Sequence, residues 1–355
     1  MDFQQRKGVL VQLGQLARAF AANKGWPGYE VGITREEYDS FAGLIAAVHV
    51  HNGWFTEDNV IKALQAWGVA LEPGNIDQWV SAYEKANFEG NGIEVGIIAA
   101  GNIPFVALHD VLAVFLCGHR SVIKLSKDDQ HLMPELFRIL GGIFEELPSL
   151  IRFTDGRLDK PGAVIATGSN NSARYFNYYF RDVPHIIRKN RNSIALITGD
   201  ETRDELSRLG HDIFDYFGLG CRNVTKLFVP RGYDFATFFE ALYAFHPVIH
   251  HNKYANNYDY NKAVWLLNKE KLLDNNFLLL KEDQRTASPT ASLFYEYYDD
   301  ASVLKGYLME YANDIQCVTG RGYLPFGSTQ CPMLWDYADG VDTMDFLLDL
   351  KEVQK

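Results

Sequence analysis

Between residues 93 and 200 the chain alternates short apolar runs with stretches of helical spacing, and few folds accept that pattern. IEVGIIAAGNIP reads as a strand followed by a Gly-Asn-x-Pro turn, and VALHDVLAVFLCG as a helix. SVIKLS is a second strand and DQHLMPELFRILGGIFEEL a second helix. PGAVIATGS is a third strand ending in a Gly-Ser turn, NSARYFNYYF opens another helix, and NSIALITGD is a fourth strand. Strand–helix alternation of this kind predicts a doubly wound parallel α/β sheet. Ligands of such sheets bind beyond the carboxyl ends of the strands. Here those ends are AGNIP, KLS, TGS and TGD.

The flanking regions read differently. Residues 1 to about 85 are mainly helical, beginning with an amphipathic helix that places Leu10, Leu13, Leu16, Ala17 and Phe20 on one face. Thr56-Glu57-Asp58 opens the helix that carries Val60, Ile61, Leu64 and Trp67. After about residue 215, TKLFVP, AVWLLN, LLLKE and ASLFYEYY read as strands, with helices such as DFATFFEALYAF between them. The expected division is therefore a helical region over 1–88, a doubly wound domain over 89–215, a second α/β domain over 216–325 and a C-terminal packing or oligomerisation segment over 326–355.

The 355 residues suffice for two domains, and 47% hydrophobic with 22% charged residues marks a globular chain. A net charge of −11 argues against nucleic acid as a partner. The basic run Arg188-Lys189-Asn190-Arg191 still leaves room for an anionic ligand. Four cysteines without a CxxC pair do not make a disulfide scaffold. The first residues lack the apolar core of a signal peptide. The greasiest run, 106–117, is interrupted by His109 and Asp110 and falls short of the about 20 residues that span a bilayer. The expectation is a cytoplasmic protein without stable membrane insertion.

Four segments could carry chemistry, each beside a plainer reading. In ATGSNNSARYF, Gly168 permits a tight turn and Ser169 begins a helix, which aims backbone N–H groups at a phosphate or merely caps the helix. The dinucleotide fingerprint GxGxxG is missing. Lys124 ends a strand and could meet a cofactor ribose or 2′-phosphate, or simply snorkel. Asn102 lies in a turn between Gly101 and Pro104, as an oxyanion donor or a turn-stabilising amide. Cys221, in FGLGCRNVTKLFVP, follows Gly218 and Gly220 and precedes Arg222. Near a helix terminus its thiolate would be favoured, whereas most single cysteines are inert. His246, His250 and His251 read as strand residues facing opposite ways, a poor chelate, so no metal site is expected.

Taken in order, AGNIP, VIKLS, ATGSNNSAR, NSIALI and the Gly-Cys turn leading into KLFVP resemble the aldehyde dehydrogenase superfamily. GNIPFVALHDVLAVFLCGHRSVIKLSKDD and the closing DYADGVDT look closest to its LuxC-type acyl-CoA reductases. The resemblance covers roughly residues 90 to 345. It implies that 89–215 is a nicotinamide-cofactor-binding domain and 216–325 a catalytic cysteine domain. It implies Cys221 as nucleophile, with Asn102 and the Cys221 backbone N–H as oxyanion donors. Lys124, Gly168, Ser169 and Glu282 become cofactor contacts. The implied cofactor is NADPH, with NADH as the alternative, and Lys124, Arg174 or Arg188 would meet the extra phosphate. The implied partner is an acyl-CoA or acyl-protein thioester, and a homodimer is compatible with the family.

One departure narrows the chemistry. Hydrolytic members of that family carry a Glu, just before a Gly-Gly-Lys-Ser segment, that activates the deacylating water. The matching stretch here is IIRKNRNSIALI, with Arg188 or Lys189 at that place and no carboxylate from Val183 to Thr198. This suits release of the acyl group by reduction or transfer rather than hydrolysis. Two other readings stay open: an acyl-phosphate reductase sharing Cys221, and a non-catalytic nucleotide-binding scaffold of the same fold.

Overall fold

A computed structural model describes residues 1–90 and 92–350. Two compact units divide the chain: Met1–Lys189 together with the segment from Pro332 onward, and Asn190–Cys331.

The first unit opens with four helices: α1 (Phe3–Ala22), α2 (Arg35–Ala47), α3 (Glu57–Ala70) and α4 (Pro73–Ser81). Their starts follow from side chains that satisfy orphan amides. Asp2 and Thr34 form capping boxes with Gln5 and Glu37, and Thr56 accepts from the Asn59 amide. The apolar face of α1, including Leu10, Leu13, Leu16 and Phe20, is buried as its spacing requires.

The sheet of this unit consists of β1 (Glu94–Ile98), β2 (Arg120–Lys124), β3 (Ile151–Phe153), β4 (Ala163–Thr167) and β5 (His185–Arg188). Helix α5 (Leu108–Leu116) joins β1 to β2, α6 (Leu132–Ile143) and α7 (Leu147–Leu150) join β2 to β3, and α8 (Asn170–Tyr179) joins β4 to β5. The strands are all parallel, in the order β3-β2-β1-β4-β5. The central β1 and β4 are buried on both faces, which is why they read as continuous apolar runs. The connections run outward in opposite directions from β1 and β4, so the topological switch lies between these two strands.

In the second unit, β6 (Asn192–Leu196) leads through α9 (Arg203–Phe214) to β7 (Val224–Pro230). Helices α10 (Phe235–Ala241) and α11 (Asn252–Leu267) precede β8 (Leu273–Asp274), β9 (Leu279–Glu282) and β10 (Ser292–Tyr298). Helix α12 (Ala301–Glu310) then returns the chain to β11 (Ile315–Gly320). The sheet order is β11-β6-β7-β10-β9-β8, parallel except for the β8–β9 pair.

Several sequence expectations change here. NSIALI is a strand, but it is β6 of the second sheet, so this unit begins at residue 190 rather than 216. Strand pairing with β7 and β11 decides its place, which a local apolar run does not reveal. AVWLLN lies almost wholly within α11 and is no strand; Tyr254, Tyr258, Asn261 and Trp265 are buried at helical spacing. The histidine segment is a 3-10 helix, Tyr243–His250, with His251 capping α11. The tail ends in α13 (Thr343–Leu348), which packs on α5 within the first unit, where the His119 Nε2 lies 2.9 Å from the Leu347 carbonyl. Among the described residues no helix is long and apolar enough to cross a membrane.

Candidate functional site

At the carboxyl rim of the first sheet, the turns after β1 and β4 flank the topological switch. The first carries Asn102, which is exposed. It packs against the turn after β2: a Cβ on Gly101 would fall 2.7 Å from the Ser126 Cβ. The Ala99 amide donates to the carbonyl of Lys124 at 3.0 Å, and Lys124 is half-buried at the end of β2. Asp129, just beyond, is 3% exposed, and burial pushes its carboxyl up to about 7, with the Phe105 backbone amide opposing. The turn after β4 carries Gly168 and Ser169. A Cβ on Gly168 would stand 2.9 Å from the Ser172 Cβ and 3.0 Å from the Phe176 ring, so glycine lets α8 start against the strand end. Ser169 Oγ accepts from the Ser172 amide at 3.1 Å. The structure thus brings Asn102, Lys124, Gly168 and Ser169 to one rim, and Arg174 projects from the exposed face of α8.

Arg188 is not available to an anion. It is 5% exposed, pairs with Asp110 and donates to Thr343 Oγ1 at 2.8 Å. The basic character read from the sequence is here consumed by a buried ion pair, because β5 runs its last residue in toward α5 and α13.

In the second unit Cys221 occupies a turn, Gly220–Asn223, between α9 and β7. The 3-10 helix Asp215–Gly218 ends just before it, so the helix terminus beside Cys221 is a C-terminal one. Tyr216, Phe217 and Gly218 take φ values of 55°, 57° and 74°, so three successive residues are left-handed. For aromatic residues this conformation is strained, and such strain gathers at functional sites. Phe217 stacks on His251 with ring centroids 4.2 Å apart.

The turn itself is held from beneath. Asn223, wholly buried, accepts the Gly220 amide at 2.8 Å and donates to the Asp212 and Asp215 carbonyls at 3.0 and 2.9 Å. Ser193, also wholly buried, donates from Oγ to the Cys221 carbonyl at 3.0 Å. Cys221 stays exposed. Cys331 is exposed as well, Cys317 is half-buried and Cys117 buried, and burial pushes the thiols of these three up, away from thiolate. For Cys317, the charge of Arg222 opposes that rise. Sequence reading missed Ser193 and Asn223. Asn223 carried a local cue, a polar residue two after Cys221 at a strand start, whereas Ser193 lies 28 residues away.

Glu282 is placed elsewhere. It ends β9, and its register partner Tyr295 also pairs with Leu227 in the middle of β7. Its charge acts on Arg231, beyond the opposite end of β7 from Cys221. The sheet therefore keeps Glu282 away from the Cys221 turn. Among the described residues no group of three or more His, Cys, Asp or Glu could hold a metal ion.

Solved structures similar to this one include aldehyde dehydrogenase 21 from Physcomitrella patens in complex with its product succinate, at 14% identity over 90% of this chain and 74% of that one, with a TM-score of 0.61. Lactaldehyde dehydrogenase from Escherichia coli matches at 14% identity over 90% and 74%, with a TM-score of 0.60. An aldehyde dehydrogenase from Mycobacterium tuberculosis, solved with NAD+, matches at 14% over 87% and 72%, with a TM-score of 0.56. The chain has the aldehyde dehydrogenase fold. At these identities the likeness speaks to fold alone. No family model matches the chain, and no curated protein does. Within the aldehyde dehydrogenase fold, the doubly wound sheet carries Asn102, Lys124, Gly168 and Ser169, and the second sheet carries Cys221.

Proposed function

We propose that the protein is an NADPH-dependent acyl-thioester reductase of the LuxC type, working through an S-acyl-Cys221 intermediate. One observation carries the reading. An exposed cysteine sits in a buried-anchored turn of an aldehyde dehydrogenase fold, while the stretch that would supply a hydrolytic carboxylate contains none and runs Arg188 into an ion pair. A cation so engaged cannot activate water.

The rim of the first sheet fits a dinucleotide. It is the carboxyl edge at a topological switch, and Gly168 and Ser169 open the ten-residue helix α8 there. In this reading Gly168, Ser169 and Lys124 hold the cofactor and Arg174 offers the nearest exposed cation on α8. Bound NADPH supplies hydride to the acyl carbon.

The protein's own residues do the rest. The Cys221 thiolate attacks the thioester carbonyl, the C–S bond to the carrier breaks, and the carrier leaves as its thiolate. Oxyanion donors are assigned to the Asn102 amide and the Cys221 backbone N–H, each worth roughly 3 kcal/mol. After reduction the thiohemiacetal oxyanion expels Cys221 and the aldehyde departs. With no carboxylate from Val183 to Thr198 to activate water, hydrolysis of the acyl-enzyme is slow relative to reduction.

The test is NADPH and NADH oxidation with acyl-CoAs of graded chain length, alongside an acyl phosphate. NADPH consumption with a long-chain acyl-CoA and radiolabel on Cys221 supports the reading. Activity with the acyl phosphate alone replaces it.

A further inference from the structure

Three groups of the Cys221 turn are held by side chains or backbone that do not themselves reach the surface. The Gly220 amide goes to Asn223 Oδ1 at 2.8 Å, the Cys221 carbonyl to Ser193 Oγ at 3.0 Å, and the Asn223 carbonyl to the Ser193 amide at 3.2 Å. Ser193 grips the turn twice, through its backbone and its hydroxyl, and both it and Asn223 are wholly buried.

The chemistry of the hydroxyl assigns its protons. Ser193 Oγ has one proton, which goes to the Cys221 carbonyl. Its lone pairs face the Cys317 amide at 3.3 Å and the Cys317 sulfur at 3.0 Å. The Cys317 thiol is therefore the donor in that contact. Ser193 has no orientation left to choose: its donor and acceptor sites are all engaged.

We propose that Ser193 is a positioning residue for the nucleophile. The direction of the Cys221 side chain depends on both flanking peptides. The Asn223 backbone amide fixes the one before it, donating to the Gly220 carbonyl at 3.0 Å, and the Ser193 hydroxyl fixes the one after it. Without that hydroxyl the 221–222 peptide can rotate, its part-buried carbonyl loses a donor, and the sulfur sweeps over a wider arc. Misplacement of a reacting atom by about 1 Å costs up to roughly a hundredfold in rate. The proposal rests on Cys221 being the nucleophile, and it concerns orientation rather than thioester binding.

The decisive pair is Ser193→Thr and Ser193→Val. The two have nearly the same shape, so packing costs cancel, and only Thr keeps the hydroxyl. The rate of Cys221 alkylation by iodoacetamide is followed across pH on the full chain, by peptide mass spectrometry. Thr is expected to alkylate about tenfold faster than Val, with a pH midpoint closer to that of the unaltered protein. In turnover, Val lowers kcat with the KM for acyl-CoA within about twofold, and Thr restores kcat. Equal alkylation rates and midpoints in the two variants, both folded by their thermal midpoints, overturn the proposal. Should acyl-CoA fail to acylate the unaltered protein while the alkylation difference persists, the functional reading falls and the positioning role stands.

Discussion

The rim of the first sheet and the Cys221 turn of the second are built on different plans. At the rim, the chemistry is presented by backbone: a glycine that admits a helix start, an N-cap serine, and turns packed against each other at Gly101. In the Cys221 turn, the buried side chains of Ser193 and Asn223 hold the backbone of residues 220 and 221, just after a left-handed run at 216–218. Backbone presentation tolerates exchange of neighbouring side chains, because the amides that face a ligand belong to no particular residue. A side-chain cradle does not, since removing one hydroxyl or amide strands the group it satisfied.

That contrast can be tested, and the largest effect lies at Cys221. Cys221→Ala should eliminate both reduction and covalent labelling by radioactive acyl-CoA; label appearing on another residue would show that the wrong cysteine has been assigned. Next comes a pH effect at the rim. The buried Asp129 carboxyl is raised from 3.8 to about 7, a gap worth about 4 kcal/mol. A raised carboxyl costs stability once it must ionise in the fold. The penalty is complete above pH 7 and fades as pH falls toward 4. Asp129→Asn should therefore melt higher than the unaltered protein at pH 8 and lose that advantage by pH 4, as thermal unfolding across pH will show.

Asn102→Ala should lower kcat by about a hundredfold, near 3 kcal/mol, with the KM for acyl-CoA little changed. An unaltered kcat removes Asn102 from the oxyanion role. Asn223→Ala takes three hydrogen bonds, two of them buried, from the Cys221 turn and should cost about 2 kcal/mol or more in denaturant unfolding. If it costs nothing, the side-chain cradle is not what holds that turn. The smallest change is Gly168→Ala. The added Cβ needs Ser172 and Phe176 to give way, and the KM for NADPH should rise roughly fivefold with kcat retained. A rise no larger than that of a surface substitution on α8 would detach the turn from the cofactor.

Much of the rim could be read in advance. Apolar runs at strand length, the Gly-Ser step and the N-cap at Ser169 are local signals, and local signals survive in one dimension. The same logic failed for AVWLLN, whose apolar cluster suits a helix as well as a strand, and which the helical burial of Tyr254, Tyr258, Asn261 and Trp265 decides. It failed also for Arg188, where cationic character was visible but the partner Asp110 stands 78 residues away. Ser193 was unremarkable in the sequence, since nothing near it announces a carbonyl 28 residues later.

The order of segments by itself determined the doubly wound character of the first sheet, the helical N-terminal region and the candidacy of Asn102, Lys124, Gly168, Ser169 and Cys221. Those properties follow from periodicity, turn chemistry and residue type, which are set within a few residues. Only the tertiary structure decided that NSIALI joins the second sheet, that Glu282 lies level with the middle of β7, and which buried groups grip the Cys221 turn. Strand partners and the hydrogen-bond partners of buried polar groups are chosen among distant segments, by register and by the cost of leaving a buried group unsatisfied.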